Sequence, residues 1–204
     1  SGLDIDTGQH EGAVVQAAYT YSLALPKIGL MYSPGRELAG LLDIVPIGIP
    51  DNVVSSFNIK ENLITPEQVV SLLPKRKPDG HKGDFGKLFI LAGSTGLTGA
   101  AALSAMASAR TGLGLVTVGC PASLNHILEM KMTEPMTCPL PDVGKNGALA
   151  LRGLGEIKIK LAEADAAVIG PGIGRHFETR ELIRRLVPSL EHPTIIDADG
   201  LNAF

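Results

Sequence analysis

The sequence contains no tryptophan and few aromatic residues, which make up 4% of its 204 positions. It has only two cysteines, Cys120 and Cys138, and their spacing matches no metal-binding pattern. A single disulfide would be a sparse framework for a secreted protein, so we expect two reduced thiols in a cytoplasmic protein. A disulfide-stapled scaffold and a cysteine-ligated metal site are therefore excluded.

Neither sign of charge is in large excess. The chain has 18 basic and 21 acidic residues and a net charge of -3, so it lacks the basic surface that binding to nucleic-acid phosphates requires. It also lacks an uninterrupted apolar run of about 20 residues, the length of a membrane-spanning helix. We therefore expect neither nucleic acid nor a membrane as a partner.

Glycine and apolar residues are abundant, with 24 glycines and 45% hydrophobic positions. The run from His81 to Gly114 places a glycine-rich turn between an apolar strand and an alanine-rich helix, with Thr98 as the predicted N-cap of a helix that begins near Gly99. Unpaired amides at a helix N-terminus attract anions, which favours a phosphate-bearing ligand at this turn. The spacing G-x-x-G-x-x-G matches neither the dinucleotide fingerprint nor the P-loop, so a plain tight crossover stays an equal alternative.

Strand and helix patterns alternate in the second part of the chain, which predicts an α/β fold with a parallel sheet covered by helices. The apolar strand near the end of the sequence is of the kind that has neighbours on both sides. The predicted strands are 87–92, 115–119, 166–170 and 194–197, and the predicted helices are 99–111, 123–131 and 177–187.

The pattern changes near residue 50, where Pro46 and Pro50 flank a short apolar run. Upstream, residues 19–25 alternate as a strand does, and Pro34 with Gly35 marks a turn. We predict the tail of one α/β unit in residues 1–50, a linker over 51–75, and a second domain over 76–204.

In such folds, ligands bind beyond the carboxyl ends of the strands. Three loops are expected there: Gly93–Gly99, Gly170–Gly174 and Asp197–Asp199. The second reads GPGIG, which suits either close approach of a ligand to backbone amides or a tight turn alone. The two aspartates can hold a hydrated magnesium ion or a hydroxyl group, or they can accept hydrogen bonds within a turn.

Several long segments, in the right order, resemble a family of repair enzymes. The segments HKGDFGKLFILAGSTGLTGAA, TGLGLVTVGCP, AAVIGPGIGR and PTIIDADGLN resemble the carbohydrate-kinase-type domain of ADP- or ATP-dependent NAD(P)H-hydrate dehydratases. The segment SGLDIDTGQHEGAVVQAAYTYSLALPKIGLMYSPGRELAG resembles the end of the NAD(P)H-hydrate epimerase domain that precedes it in bifunctional enzymes. The resemblance implies the end of a Rossmann-like epimerase domain followed by the first half of a ribokinase-like parallel-sheet domain.

The resemblance also implies a function, the repair of the hydrated cofactors NADHX and NADPHX. The epimerase half interconverts their R and S forms, and the dehydratase half restores the S form to NADH or NADPH. That dehydration phosphorylates the hydroxyl of the hydrated ring and then releases phosphate. The implied phosphate donor is ADP or ATP, with magnesium, and we take ADP in a bacterial-type cytoplasmic enzyme as the default.

Site residues follow from the same resemblance, position by position. Ala100 and Gly172 match family positions that line the hydrated-dinucleotide site, and Ser1 stands where the family places a serine that helps bind potassium. For His81 and Lys82 a capping or surface role stays equally open. The full set of expected substrate-binding residues is Ala100, Gly172, Gly99, Gly170, Gly174, His81, Lys82, Asp197 and Asp199.

The family's adenine-nucleotide loop and its catalytic aspartate, in a GxGD motif, would lie beyond residue 204, so no catalytic residue is assigned. We therefore expect this chain to be an inactive fragment, and measurable dehydratase turnover by residues 1–204 would contradict that. Two other functions stay open, a ribokinase-like kinase of a small alcohol and a non-catalytic binding module. The choice between ADP and ATP, the preference between NADHX and NADPHX, and the oligomeric state, with a homo-oligomer as one option, also stay open.

Overall fold

The computed structural model describes residues 2–76, 78–144 and 146–204. The chain divides into two compact units, residues 1–75 and residues 76–204. Among the described residues, no helix combines the length and apolar character needed to cross a bilayer.

The first unit is built around two parallel strands, β1 (Tyr19–Leu23) and β2 (Leu41–Val45). Tyr19, Tyr21 and Leu23 alternate along β1 and are each more than half exposed, so one face of this strand pair is open to solvent within the unit. The helices of this unit are α1 (Gly35–Ala39), α2 (Asp51–Ser56) and α3 (Pro66–Leu72).

The second unit contains a five-stranded sheet in which every neighbouring pair is parallel, with the strand order β5-β4-β3-β6-β7. This arrangement confirms the predicted parallel α/β architecture. The strands are β3 (Lys87–Leu91), β4 (Leu115–Pro121), β5 (Met136–Leu140), β6 (Ala166–Ile169) and β7 (Thr194–Ile196).

In the part of the chain that the structure describes, four α-helices connect these strands, as parallel strands require crossover connections. His176 caps the last of them, since its Nδ1 accepts a hydrogen bond from the amide of Glu178 at 3.3 Å. The helices are α4 (Thr98–Arg110), α5 (Asn125–Lys131), α6 (Leu154–Ala162) and α7 (Phe177–Leu186). Short 3₁₀ turns are Lys82–Phe85, Ala122–Leu124, Leu151–Gly153, Val187–Ser189 and Ala198–Ala203.

The sheet separates two apolar cores, and β3 contributes to both. Successive side chains of a strand point to opposite faces, so Leu88 and Ile90 enter one core while Phe89 and Leu91 enter the other. Burial on both faces explains why the strand reads as a continuous apolar run. The first core contains α4 and α5 residues Ala101, Ala102, Ala105 and Leu128, and the second contains α6 and α7 residues Ile157, Leu161, Leu182, Ile183 and Leu186.

The predicted elements recur within one or two residues, but β5 and α6 of the second unit were not predicted, nor were the helices α1, α2 and α3 of the first unit, the last two of which lie in the predicted linker. Pro139 argued against a strand over residues 136–140, yet β5 is an edge strand, where a missing amide donor is tolerated. Gly153 and Gly155 lie at the start of α6, and glycine disfavours a helix, so the sequence pattern did not predict one there. The strand at residues 194–196 pairs only with β6 among the described residues, and Ile195 is 65% exposed.

Candidate functional site

The carboxyl ends of all five strands of the second unit lie at one edge of the sheet, which we call the carboxyl edge. Loops 92–97, 170–176 and 197 follow β3, β6 and β7 there, and loop 141–150 follows β5. Ligands of open α/β sheets bind at this edge. The contacts among these loops therefore define the candidate site.

The glycine-rich loop after β3 is hydrogen-bonded to the loop Gly170–Gly174, hereafter the GPGIG loop. The amide of Gly93 donates to the carbonyl of Pro171 at 3.0 Å, and the Ser94 hydroxyl donates to the carbonyl of Gly172 at 2.8 Å. Ser94 is 6% exposed, so its bond to Gly172 is shielded from water. The two loops form one rigid surface at the carboxyl edge.

Gly172 lies against the first turn of α4. Its φ is +63°, and an added Cβ would lie 2.9 Å from Cβ of Ala100 and 2.7 Å from the carbonyl oxygen of Leu97. Only glycine fits such an approach without strain. Gly99, beside Ala100 in the same turn, has open space around its Cβ position, so this side of the turn is accessible to a ligand.

The end of β7 approaches the other side of the GPGIG loop. Gly170 has a φ of +124°, and a Cβ there would collide with the carbonyl oxygen of Asp197. The Asp197 amide donates to the carbonyl of Ile169 at 2.9 Å, and the Asp197 residue is exposed. Its carboxylate therefore reaches solvent at the carboxyl edge.

Asp199 is held within the protein rather than presented to solvent. Its side chain is 15% exposed and accepts hydrogen bonds from the amide of Gly174 at 3.1 Å, from Nε of Arg175 at 3.3 Å and from Nδ2 of Asn202 at 3.1 Å. The Asn202 amide, opposed in part by burial and aided by the Arg175 and Gly174 donors, holds the pKa of this carboxyl below its ordinary value. Asp199 is consequently ionised at neutral pH.

His81 and Lys82 lie at the opposite edge of the sheet. They precede β3, and the amide of Gly114, just before β4, donates to the carbonyl of Phe85 in the same turn. The His81 ring accepts from the Gly83 amide at 3.1 Å, and the carboxylate of Asp84 accepts from the His81 amide at 3.0 Å. This is the capping role that the sequence left open for His81. Because His81 and Lys82 precede β3, the length of that strand separates them from the loops that follow β3, β6 and β7.

The prediction that Thr98 is the N-cap of α4 is wrong. The N-cap residue is Leu97, and Thr98 is the first helical residue. The Thr98 hydroxyl instead accepts a hydrogen bond from Nζ of Lys131 at 2.7 Å. A cation at the end of α5 thus stands beside the N-terminus of α4, a pairing that sequence patterns do not reveal because the two residues are 33 positions apart.

Loop 141–150, which follows the unpredicted strand β5, also joins the candidate site. The Thr95 amide donates to the carbonyl of Gly147 at 3.0 Å, and the Thr95 hydroxyl donates to the carbonyl of Asn146 at 2.8 Å. On its other side this loop is fixed to α7, because the buried Thr179 hydroxyl donates to the carbonyl of Leu149 at 2.8 Å. Sequence reasoning missed Thr95 and Asn146 because it missed β5.

The expected metal sites find limited support. Ser1, the expected potassium ligand, lies outside the described residues. Asp4, close to it in sequence, accepts hydrogen bonds from the amides of Asp6 and Thr7, which lower its pKa. Within residues 2–76, 78–144 and 146–204, no three His, Cys, Asp or Glu side chains cluster as metal ligands would.

The second unit also matches a known family. Residues 88–204 match the family of NAD(P)H-hydrate dehydratases. The chain belongs to this family. Among curated relatives, bifunctional NAD(P)H-hydrate repair enzymes are 43% identical in Moorella thermoacetica and 31% identical in Escherichia coli K12. These alignments include 100% and 99% of this chain, which spans 38% and 36% of the two relatives.

Solved structures agree with the family's fold. A ribokinase-like superfamily protein from Enterococcus faecalis is similar with a TM-score of 0.57 and 21% identity, over 71% of this chain and 50% of that protein. An ADP/ATP-dependent NAD(P)H-hydrate dehydratase from Bacillus subtilis, co-crystallised with ATP/Mg²⁺, is similar with a TM-score of 0.51 and 26% identity, over 67% of this chain and 46% of that protein. The NAD(P)H-hydrate dehydratase unit of this chain thus has a ribokinase-like parallel sheet.

Proposed function

We propose that residues 76–204 form the hydrated-dinucleotide-binding part of a dehydratase that acts on S-NADHX or S-NADPHX with an adenine nucleotide. The observation that carries this proposal is the contact of Gly172 with the first turn of α4 in a chain of the NAD(P)H-hydrate dehydratase family. By the motif resemblance, Ala100 and Gly172 correspond to positions that line the family's hydrated-dinucleotide site. The loop that precedes α4 is hydrogen-bonded to the GPGIG loop at the carboxyl edge.

The shape of this edge suits a dinucleotide. Gly99 and Ala100 lie in the N-terminal turn of α4, an end of a helix that favours a phosphate group, although the Ala100 amide itself donates to the carbonyl of Leu97 at 3.2 Å. Gly170, Gly172 and Gly174 carry no side chain, and Gly174 is half-buried, so a flat ring or a sugar can approach the backbone of the facing loop at Gly174. Asp197, exposed beside them, offers a carboxylate to a hydroxyl group.

The proposed reaction is a phosphoryl transfer followed by an elimination. The nucleotide's terminal phosphoryl group moves to the hydroxyl oxygen of the hydrated ring, whose proton is released, and AMP leaves if ADP is the donor or ADP leaves if ATP is the donor. The carbon–oxygen bond then breaks, phosphate departs with the electron pair, and loss of a proton from the neighbouring carbon restores the double bond. No electron is gained or lost overall, so the product is the reduced cofactor.

A phosphate donor is needed because hydroxide is a poor leaving group and phosphate is a good one. ADP is our preferred donor, with magnesium as the counterion of its phosphates. Magnesium would neutralise phosphate charge when bound, and the described residues supply no three-ligand set for it. What these residues contribute is binding and orientation of the hydrated ring.

We further propose that residues 1–50 are the end of an epimerase domain that interconverts the R and S forms, with Ser1 among its potassium ligands, and that 51–75 is a linker. This part of the proposal rests on the motif resemblance and on the bifunctional relatives, which match over the whole chain. Fused activities would let one protein convert both epimers, because the dehydratase half takes only the S form. A cytoplasmic location belongs to the same proposal, and the oligomeric state stays open, with a homo-oligomer as one option.

The test uses the full-length protein. Hydrated NADH is incubated with ADP, with ATP or with neither, while the recovery of nicotinamide absorbance and the release of phosphate are followed. Nucleotide-dependent recovery with equal release of phosphate supports the proposal and identifies the donor. A phosphorylated product that persists without recovery would indicate a ribokinase-like kinase, and no turnover by folded protein would leave a binding module.

A further inference from the structure

The GPGIG loop is held from two sides by polar side chains, those of Ser94 and Asp199. On one side the Ser94 hydroxyl donates to the carbonyl of Gly172, and on the other the carboxylate of Asp199 accepts from the amide of Gly174. We propose that Ser94 and Asp199 are positioning residues that set the position of Gly172 against Ala100 and thereby the affinity for the hydrated dinucleotide. This inference rests on the proposed function.

Ser94 has no freedom to act as a ligand or nucleophile. Its side chain is buried, its hydroxyl is 2.8 Å from the Gly172 carbonyl oxygen, and a Cβ placed on Gly174 would lie 3.0 Å from its Oγ. The contacts of this buried hydroxyl are thus with the GPGIG loop. Its removal would leave the Gly172 carbonyl without its partner in a site shielded from water.

Asp199 is equally committed to the loop. Gly174, Arg175 and Asn202 each donate to it, so both carboxylate oxygens have partners. The sequence left open whether this aspartate binds magnesium or accepts turn hydrogen bonds, and the contacts favour the second role. Since Asp199 occupies the Gly174 amide, that amide is also not free to bind a phosphate.

The two anchors act on a loop with little tolerance for displacement. Gly172 approaches Ala100 so closely that a methyl group would not fit between them. If either anchor is lost, the loop can move away from α4, and the surface that contacts the substrate changes shape. Small misplacements of a binding surface cost affinity without altering groups that take part in chemistry.

Two substitutions in the full-length enzyme test this role, Asp199→Asn and Ser94→Ala. Asparagine offers one acceptor oxygen where aspartate offers two, so either Gly174 or the Arg175 and Asn202 pair loses its acceptor. We expect each substitution to raise KM for the hydrated dinucleotide about tenfold, with kcat and KM for the adenine nucleotide unchanged. Glu181→Ala is the matched control, because it removes an exposed carboxylate that pairs only with Arg185 on α7.

A second measurement does not depend on substrate. Amide hydrogen exchange of residues 170–176 should be faster in both variants than in the wild type, while exchange of β3 stays the same. Unchanged KM for the dinucleotide together with unchanged exchange would overturn the positioning role. A fall in kcat with all KM values unchanged would indicate only loss of folded enzyme, which would also overturn it.

Failure of the proposed function would be seen separately. If the wild-type enzyme does not dehydrate hydrated NADH with either nucleotide, the proposed function is wrong. The exchange measurement then decides whether Ser94 and Asp199 hold the loop. Faster exchange in both variants would support the anchoring, and equal exchange would refute it.

Discussion

At the residue scale, Gly172 is the position at which one added methyl group should do the most harm. Gly172→Ala places a Cβ at a φ of +63° and within 3 Å of Leu97 and Ala100. Strain and overpacking together should lower the free energy of unfolding by about 2 to 4 kcal/mol. Denaturant titration of the wild type and the variant measures this difference.

Gly155 provides the matched control for that substitution. It lies in α6, and a Cβ there would have no neighbour within 4 Å. Gly155→Ala should therefore stabilise the protein by about 0.5 to 1 kcal/mol, because alanine restricts the unfolded chain and favours the helix. Equal effects at the two positions would show that the space around Gly172 is not limiting.

The two thiols should differ in reactivity because they lie on opposite faces of the sheet. Cys120 is buried in the core beside α4 and α5, whereas Cys138 is half-buried on the α6 face, and both are free within the described part of the chain. Burial, with smaller contributions from Cys138 and Glu129, raises the pKa of Cys120 from 9.0 to about 12. Burial also raises the pKa of Cys138, so the difference in reactivity follows from access: Cys120 is fully buried and withheld from alkylating agents, whereas Cys138 is only half-buried.

We predict that one thiol, Cys138, is alkylated in the folded protein at neutral pH and that both are alkylated after unfolding, as mass spectrometry would show. The sign of the pH effect follows from the raised pKa. Below pH 9.0 the Cys120 thiol is neutral in both the folded and the unfolded protein. Between pH 9.0 and about 12 it ionises in the unfolded protein but not in the folded one. The free energy of unfolding therefore falls as the pH rises through this window. Rapid alkylation of Cys120 in the native protein would contradict this account.

At the element scale, loop 141–150 depends on its attachment to α7. Thr179 is fully buried, and its hydroxyl donates to the carbonyl of Leu149. Thr179→Val keeps the shape of the side chain but leaves that carbonyl without a partner, which should cost about 1 to 3 kcal/mol of unfolding free energy. The measurement is again denaturant titration.

The control for that substitution is Thr111→Val. Thr111 directly follows α4, and its exposed hydroxyl donates a hydrogen bond to the carbonyl of Ser108. Water can replace this bond, so the expected change is within about 0.5 kcal/mol. A Thr179→Val variant as stable as Thr111→Val would mean that the loop does not depend on its bond to α7.

At the scale of the whole molecule, the division into two units predicts where proteases cut first. Between the strands of the first unit and β3, side chains such as Ile64 and Leu72 are 77% and 82% exposed, so this segment makes few packing contacts. Trypsin should cleave first after Lys60, Lys75 or Arg76 and leave a stable product that contains β3 to β7. Mass spectrometry of a time course identifies the sites.

Two other patterns of trypsin cleavage would contradict this prediction. Early cleavage after Arg110 or Lys131, at the ends of α4 and α5, would mean that the second unit is not a stable body. Simultaneous loss of both units would mean that the division at residue 75 has no energetic basis. Either outcome would remove the support for treating residues 51–75 as a linker.

Much of the second unit could be predicted because its signals are local. Continuous apolar runs such as Leu88–Leu91 predict buried parallel strands, and charged and apolar residues alternate around α7 at helical spacing. β5 and α6 escaped prediction because a proline in one and glycines near the other normally interrupt such elements. These two elements are stabilised by their contacts with the rest of the sheet and its helices, and a local sequence pattern does not record such contacts.

The candidate site was predictable only in part. Parallel strands bring the loops that follow them to one edge, so the proximity of the Gly99, Gly172 and Asp197 loops follows from topology. His81 and Lys82 are near the glycine-rich turn in sequence but at the opposite edge in space, because β3 lies between them and that turn. The contact of Lys131 with Thr98 joins residues that no local pattern connects.

The sequence by itself determined the family and the parallel α/β architecture, because both depend on motif order and on periodic burial, which are written along the chain. Only the tertiary structure revealed the hydrogen-bond donors of Asp199, which are Gly174, Arg175 and Asn202, since a carboxylate at a strand end can bind a ligand or accept bonds from a loop. That choice depends on which donors surround it, and Gly174, more than twenty positions earlier, is brought to it by the crossover through α7. Side-chain partners across such distances are set by folding, and no local sequence pattern records them.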